Sequence, residues 1–330
     1  MPYGIRGTLK AQPDHDSEAQ KVIAASADAS QTGHSIDIKA IILFYCVTFA
    51  VAAAIASPLW TSGQGLRFQS ARLLLSGFLL APAAGVLAVR LLLPSSIKPL
   101  VRTTGLGLGP WKQTFGYWLF AWFGFTLIGL ATPFISAFFG LLHLDLQNFS
   151  GYRELLVARL ATPALERYSI QTIVLFHLLS LLIAPLFNGI FTFGEEWGWR
   201  GFLLPKLLPL GQWPALVLTG VLWGIWHAPV TLLGYDYPFH PKLGMVLMTL
   251  FCIVFGTLLG WLRLATGSVW PAVIGHAAMD AVGEFTYVLA AAGQKIDTAQ
   301  VTILGWSGWI LPLLIILFLV WLKQLPVPPR

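Results

Sequence analysis

Apolar runs of about 20 residues, the length a helix needs to cross the hydrocarbon core of a bilayer, recur from Ile38 to Leu322 and leave this chain few folds. Eight spans are expected: Ile38 to Leu59, Leu73 to Leu93, Phe115 to Leu142, Thr172 to Phe193, Trp213 to Leu233, Leu243 to Leu262, Val269 to Ala292 and Leu304 to Leu322. The fold class that follows is all-α, a polytopic transmembrane helical bundle. Pro94 ends the second run, and Pro133 is expected to kink the third. Composition agrees: 56% of residues are hydrophobic and 10% charged, whereas soluble domains carry about 25% charged residues. The net charge of +6 comes mostly from loop lysines and arginines without a basic cluster, and gives no case for nucleic acid as a partner. Cys46 and Cys252 both lie inside apolar runs and read as small hydrophobes.

Outside the spans, residues 1–37 mix Asp, Lys, Gln, Ser and Ala without an apolar period and read as a polar tail. Gly151 to Ser169, with Arg153, Glu154, Arg159, Glu166 and Arg167, is too charged to cross and reads as an interfacial helix. About two thirds of the 20 lysines and arginines fall on the side that carries both termini, so both are expected in the cytoplasm of a cell-membrane protein. Residues 38–330 then form one membrane domain with its site in the C-terminal half.

The site is announced by charges where an apolar chain has no use for them. In Gly194-Glu195-Glu196-Trp197-Gly198-Trp199-Arg200-Gly201 two carboxylates and a guanidinium close the fourth run. Each costs on the order of 2.5 to 3.5 kcal/mol at the centre of a bilayer, so they need partners or a function. Helical positions four apart share a face, which pairs Glu196 with Arg200 and leaves Glu195 about 100° away as an uncompensated carboxylate. The fifth run adds Trp223 and His227, four apart and just ahead of Pro229; the seventh adds His276 and Asp280, again four apart. Three separate runs thus bring polar groups to membrane depth.

In that order and spacing, Glu195-Glu196-x-x-x-Arg200, Trp223-x-x-x-His227 and His276-x-x-x-Asp280 resemble the CAAX protease and bacteriocin-processing (CPBP, or Abi) family of glutamate intramembrane proteases, over about Phe187 to Gly283. Two positions depart from the family's usual pattern. Trp223 stands where Phe is common, and Asp280 where Asn often ends the motif.

The resemblance implies a protease without a covalent acyl-enzyme. Glu195, helped by His227, would deprotonate a water that attacks a peptide carbonyl, and His276 would steady the oxyanion. Glu196 and Arg200 would shape the site, with Trp223 as a packing group. Asp280 either orients His276 as a carboxylate or, protonated, donates a hydrogen bond as Asn would. The expected substrate is a hydrophobic or lipid-anchored peptide or membrane protein, with the bilayer as the other partner and no cofactor.

Three alternatives stay open. A catalytic zinc could be held by Glu195, His227 and His276, although no His-Glu-x-x-His helix is present. A non-catalytic binding, immunity or regulatory protein could share the fold. A proton-coupled transporter would need ionisable groups strung along a path, and the other spans offer only Lys39, Arg90 and His177.

Overall fold

The computed structural model describes residues 36–159 and 167–328. The polar tail expected over residues 1–37 therefore lies almost wholly outside the described residues. From Asp37 onward the chain forms one compact unit, and the described residues contain no β-strand.

Helix α1 (Ile38–Thr61) starts where the Asp37 carboxylate accepts the Ala40 backbone N–H at 3.2 Å and pairs with Lys206 at 2.8 Å. That cap satisfies one donor orphaned by helix geometry and fixes the start of the first span. Helices α2 (Ala71–Phe78) and α3 (Ala81–Leu92) meet at a 42° bend. Helix α4 (Phe115–Phe138) carries a π-helical turn at Phe120–Gly124 and holds Pro133 inside it. The surface helix α5 (Ser150–Arg159) covers the first half of the charged stretch; residues 160–166 lie outside the described residues. Helix α6 (Ile170–Ser180) bends by 51° into α7 (Ala184–Glu196), which runs on without a break as far as Leu210. There follow α8 (Gln212–Trp226), α9 (Pro241–Thr266), α10 (Trp270–Val282) and α11 (Trp306–Trp321).

Helices α1, α4 and α9, of 24, 24 and 26 residues, are each long and apolar enough to cross a membrane, and the two bent pairs raise the number to five. Large apolar side chains such as Leu91, Phe138, Phe187 and Trp321 are left exposed, as suits lipid. This is an all-α membrane bundle. The eight spans expected from the sequence are all helical, but they are not eight full crossings. Helices α8, α10 and α11 have 15, 13 and 16 residues, which at 1.5 Å per residue reach only about 20 to 24 Å of a hydrocarbon core of about 30 Å. The expected fifth span stops at Trp226 because Pro229 has no N–H to carry the helix on. The seventh divides at Gly283 into α10 and the short helix Phe285–Leu289.

Helix α8 packs along α9, and α7 along α10. Gly220 and Gly224 permit the first contact: a Cβ there would lie 2.7 Å from the Cα of Ile253 and 2.4 Å from that of Thr249. Small residues let membrane helices approach closely enough for van der Waals packing, which drives their association when lipid is the solvent. Trp226 locks the junction, stacked on Phe78 at 4.2 Å and edge-on to Trp199 at 5.8 Å. The two pairings bring the ends of α7 and α8 and the middle of α10 together.

Candidate active site

Glu195 and Glu196 are the last residues of α7, and the chain then widens into a π-helical segment, Trp197–Leu203. Such segments are rare and mark functional positions in many helices. The Arg200 guanidinium donates from Nη1 to Oε1 of Glu196 at 2.7 Å, with both residues fully buried. It also lies over the Trp223 ring, 4.2 Å from the centroid. Gly256 of α9 leaves the room it needs, since a Cβ there would sit 2.8 Å from Nη2. Pairing and ring stacking offset part of the cost of burying this charge, while Nε and Nη2 of Arg200 and Oε2 of Glu196 are buried without a hydrogen-bond partner among the described residues.

Glu195 takes a different partner. The indole Nε1 of Trp223 donates to its Oε2 at 2.6 Å, both residues being buried. No hydrogen bond reaches the other oxygen from the described residues. Trp223 is thus more than a packing group: its ring also meets the His276 ring edge-on at 5.3 Å, and its backbone carbonyl accepts from Nδ1 of His227 at 2.9 Å. That last bond follows from the local break in α8. The His227 N–H turns back to Gly224 at 3.2 Å, so the Trp223 carbonyl is open to the His227 ring. A carbonyl can only accept, so Nδ1 carries the proton and Nε2 is the basic atom of the neutral ring.

His276 donates from Nδ1 to the same Glu196 Oε1 that holds Arg200, at 2.8 Å. Its Nε2 lies 3.6 Å from Asp280 Oδ1, a charge contact beyond hydrogen-bond range. Glu196 is therefore the residue that orients His276, a task the sequence reading offered to Asp280.

Glu195, Trp223, His227, His276 and Asp280 all line one cavity of about 670 Å³, while Glu196 and Arg200 stand behind it. The seven residues singled out in the sequence thus come together as a wall and its support. The cavity also has members that sequence reasoning missed. Asn188 lines it and donates to the Ala277 carbonyl at 3.2 Å; Thr192, buried outside the lining, donates to that of Val273 at 3.2 Å. The spacing Asn188, Thr192, Glu195 puts one polar face of α7 against α10, a helical signal present in the sequence. Asp236 and Glu284 line the cavity too; Asp236 follows the expected fifth run, and Glu284 lies within the expected seventh but outside its motif. Asp236 sits in the loop after α8 at φ 67°, and its carboxyl is pushed up to about 7, by burial first and then by the charges of Asp280 and Glu195. Among the described residues no three His, Cys, Asp or Glu side chains are grouped so as to hold a metal ion.

Residues 170–282, about a third of the chain, match the family model described as type II CAAX prenyl endopeptidase Rce1-like. The match spans α6 to α10, including every residue of the wall and its support, and agrees with the resemblance to the CAAX protease and bacteriocin-processing family. No curated protein matches the chain.

Proposed function

We propose that this membrane protein, which over residues 170–282 matches the type II CAAX prenyl endopeptidase Rce1-like family model, is an intramembrane endopeptidase that cleaves hydrophobic or lipid-anchored peptides with a water activated by Glu195. The observation that carries this reading is the way Glu195 is held. Trp223 fixes one carboxylate oxygen at 2.6 Å, and the other is left without a protein partner in a residue that lines the cavity. A carboxylate anchored in this way is poised to take a proton from water, and Nε2 of His227 is the second base of the same wall.

The chemistry then needs no covalent intermediate. Water gives a proton to Glu195 while its oxygen attacks the peptide carbonyl; His276, oriented by Glu196, stabilises the oxyanion; and the proton passes to the leaving amine. The Arg200–Glu196 pair acts through His276 and touches no substrate.

The purified chain in lipid nanodiscs, given an internally quenched hydrophobic peptide, tests the reading. Glu195→Gln should lower kcat by about 10² to 10⁴, the worth of a general base, and the native chain should keep its activity after treatment with a strong chelator. Loss of activity on chelation with recovery on adding zinc would favour the metal mechanism. Equal behaviour of native and Glu195→Gln proteins would favour a protein that binds without cleaving.

A further inference from the structure

Contacts between the ends of the helices give the bundle two faces. On the first, Asp37 ahead of α1 pairs with Lys206 near the far end of the α7 continuation at 2.8 Å. Gln212, which opens α8, donates to the Val327 carbonyl at 2.8 Å and accepts the Val327 N–H at 2.7 Å, so the chain beyond α11 is tied to the same face. The end of α9 and the start of α10 lie there too. Gly105 leaves room for Arg263, since a Cβ would sit 2.7 Å from its Cζ, and the Trp270 indole donates to the Leu106 carbonyl at 2.7 Å. On the second face, Trp60 at the end of α1 donates to the Pro229 carbonyl at 2.8 Å, just beyond α8. His240 ahead of α9 lies 2.9 Å from Asp297, and Tyr237 donates to the Leu304 carbonyl ahead of α11 at 2.9 Å.

The cavity opens on the second face alone. Beyond the wall of Glu195, Trp223, His227 and His276, its lining comes from the segments that meet there: Leu66 after α1, Tyr235 and Pro238 after α8, Glu284 after α10. Tyr235, Pro238 and Glu284 are exposed and form its mouth. Among the described residues none that marks the first face lines it. In that direction the chain from Glu195 to Lys206 is sealed by Trp199, Phe202, Leu203 and Leu204, each at most 2% exposed. At 1.5 Å per residue, His227 stands about 22 Å along α8 from Gln212, which puts the wall in the half of a core of about 30 Å that lies nearer the second face.

From this placement we infer that the site takes its substrate only from the second face. A lipid-anchored or membrane protein is cleaved when its scissile segment emerges in that leaflet and enters between the loop of Tyr235 and Pro238 and the end of α10. A protein anchored in the leaflet of the Asp37–Lys206 face is not a substrate, because its polar backbone would have to pass a sealed core or cross lipid with its N–H and C=O groups unsatisfied. The inference rests on the protease reading for the cleavage, but the direction of access belongs to the cavity and is measured apart from it.

The full chain with a C-terminal affinity tag, which the Gln212–Val327 contact places on the first face, would be reconstituted in phosphatidylcholine liposomes and sorted on affinity resin into tag-out and tag-in vesicles. Access is read with a membrane-impermeant maleimide on Asn188→Cys and, separately, Ser76→Cys, two lining positions, with the exposed Cys46 replaced by Ala. Both thiols should react at least 10-fold faster in tag-in than in tag-out vesicles. Cleavage is read with the native chain and an impermeant quenched peptide, apolar at its centre and charged at its ends, added outside. Tag-in vesicles should cleave it, and tag-out vesicles only after detergent opens them. Thiols that react faster from the tag-out side, equally from both sides, or at neither position overturn the inference, whether or not any peptide is cleaved. Cleavage by intact tag-out vesicles at the tag-in rate overturns it as well. Thiol access from the tag-in side without cleavage by either population, even in detergent, sustains the direction of access and counts against the protease reading instead.

Discussion

A single indole N–H decides how the Glu195 carboxylate is presented. Trp223 touches Glu195, His227, His276 and Arg200 by four different atoms or faces of one residue. Phenylalanine at this position would keep an aromatic ring against Arg200 and His276 while losing the donor to Glu195 and part of the indole's buried volume. A hydrogen bond to a charged group is worth about 1.5 to 3 kcal/mol, so Trp223→Phe should lower kcat by about 10- to 100-fold while KM stays within about twofold. Steady-state kinetics in nanodiscs measure this; an unchanged kcat would leave the indole a packing role only. The identity of Trp223 as an aromatic neighbour of the site was legible from its spacing to His227. Its bond to Glu195 was not, because the partner lies 28 positions away on another helix and only the packing of α7 and α8 against their neighbours reveals it. The Glu196–Arg200 pair, four apart on one helix, needed no tertiary information.

At the scale of the helix, the breaks matter as much as the spans. Helices α1 and α9 end within a few residues of where the apolar runs place them, since hydropathy alone determines a straight crossing. Helix α8 ends early because Pro229 interrupts it, and that interruption turns the His227 N–H to Gly224 and gives the Trp223 carbonyl to the His227 ring. Apolarity cannot register such a break, so the site-bearing helices are the ones whose extents the sequence misjudged. Restoring a backbone donor with Pro229→Ala should let α8 run on, return the Trp223 carbonyl to the His227 N–H and release the ring. Activity should fall by about 10-fold or more while the thermal midpoint stays equal to or above that of the native protein, because proline inside a helix costs stability rather than adding it. Full activity in Pro229→Ala would show that the break does not position His227.

For the whole molecule, the cavity carries a cost in stability. The Asp236 carboxyl is raised from an ordinary 3.8 to about 7, so the folded protein holds a proton there that the unfolded chain has released. Stability contributed at this position is therefore lost as pH rises from about 4 to about 7. Asp236→Asn should raise the thermal midpoint by about 2 to 4 °C at pH 8 and leave it unchanged at pH 4; a gain of equal size at both values would exclude the charge as its cause. The acidic wall was only half legible in the sequence. Glu195 and Asp280 stood out by their spacing to other polar groups, whereas Asp236 looks like an ordinary loop residue, and Glu284, inside the expected seventh run, lies outside its motif and goes unmarked until the fold draws its segment over the cavity. The central claim is that Glu195 makes this bundle a protease. Membranes bearing the native chain or Glu195→Gln at equal levels, compared by mass spectrometry of the peptides they release, test it most directly: the account predicts a set of hydrophobic cleavage products present with the native chain and absent with the variant, and identical peptide profiles from the two would contradict it.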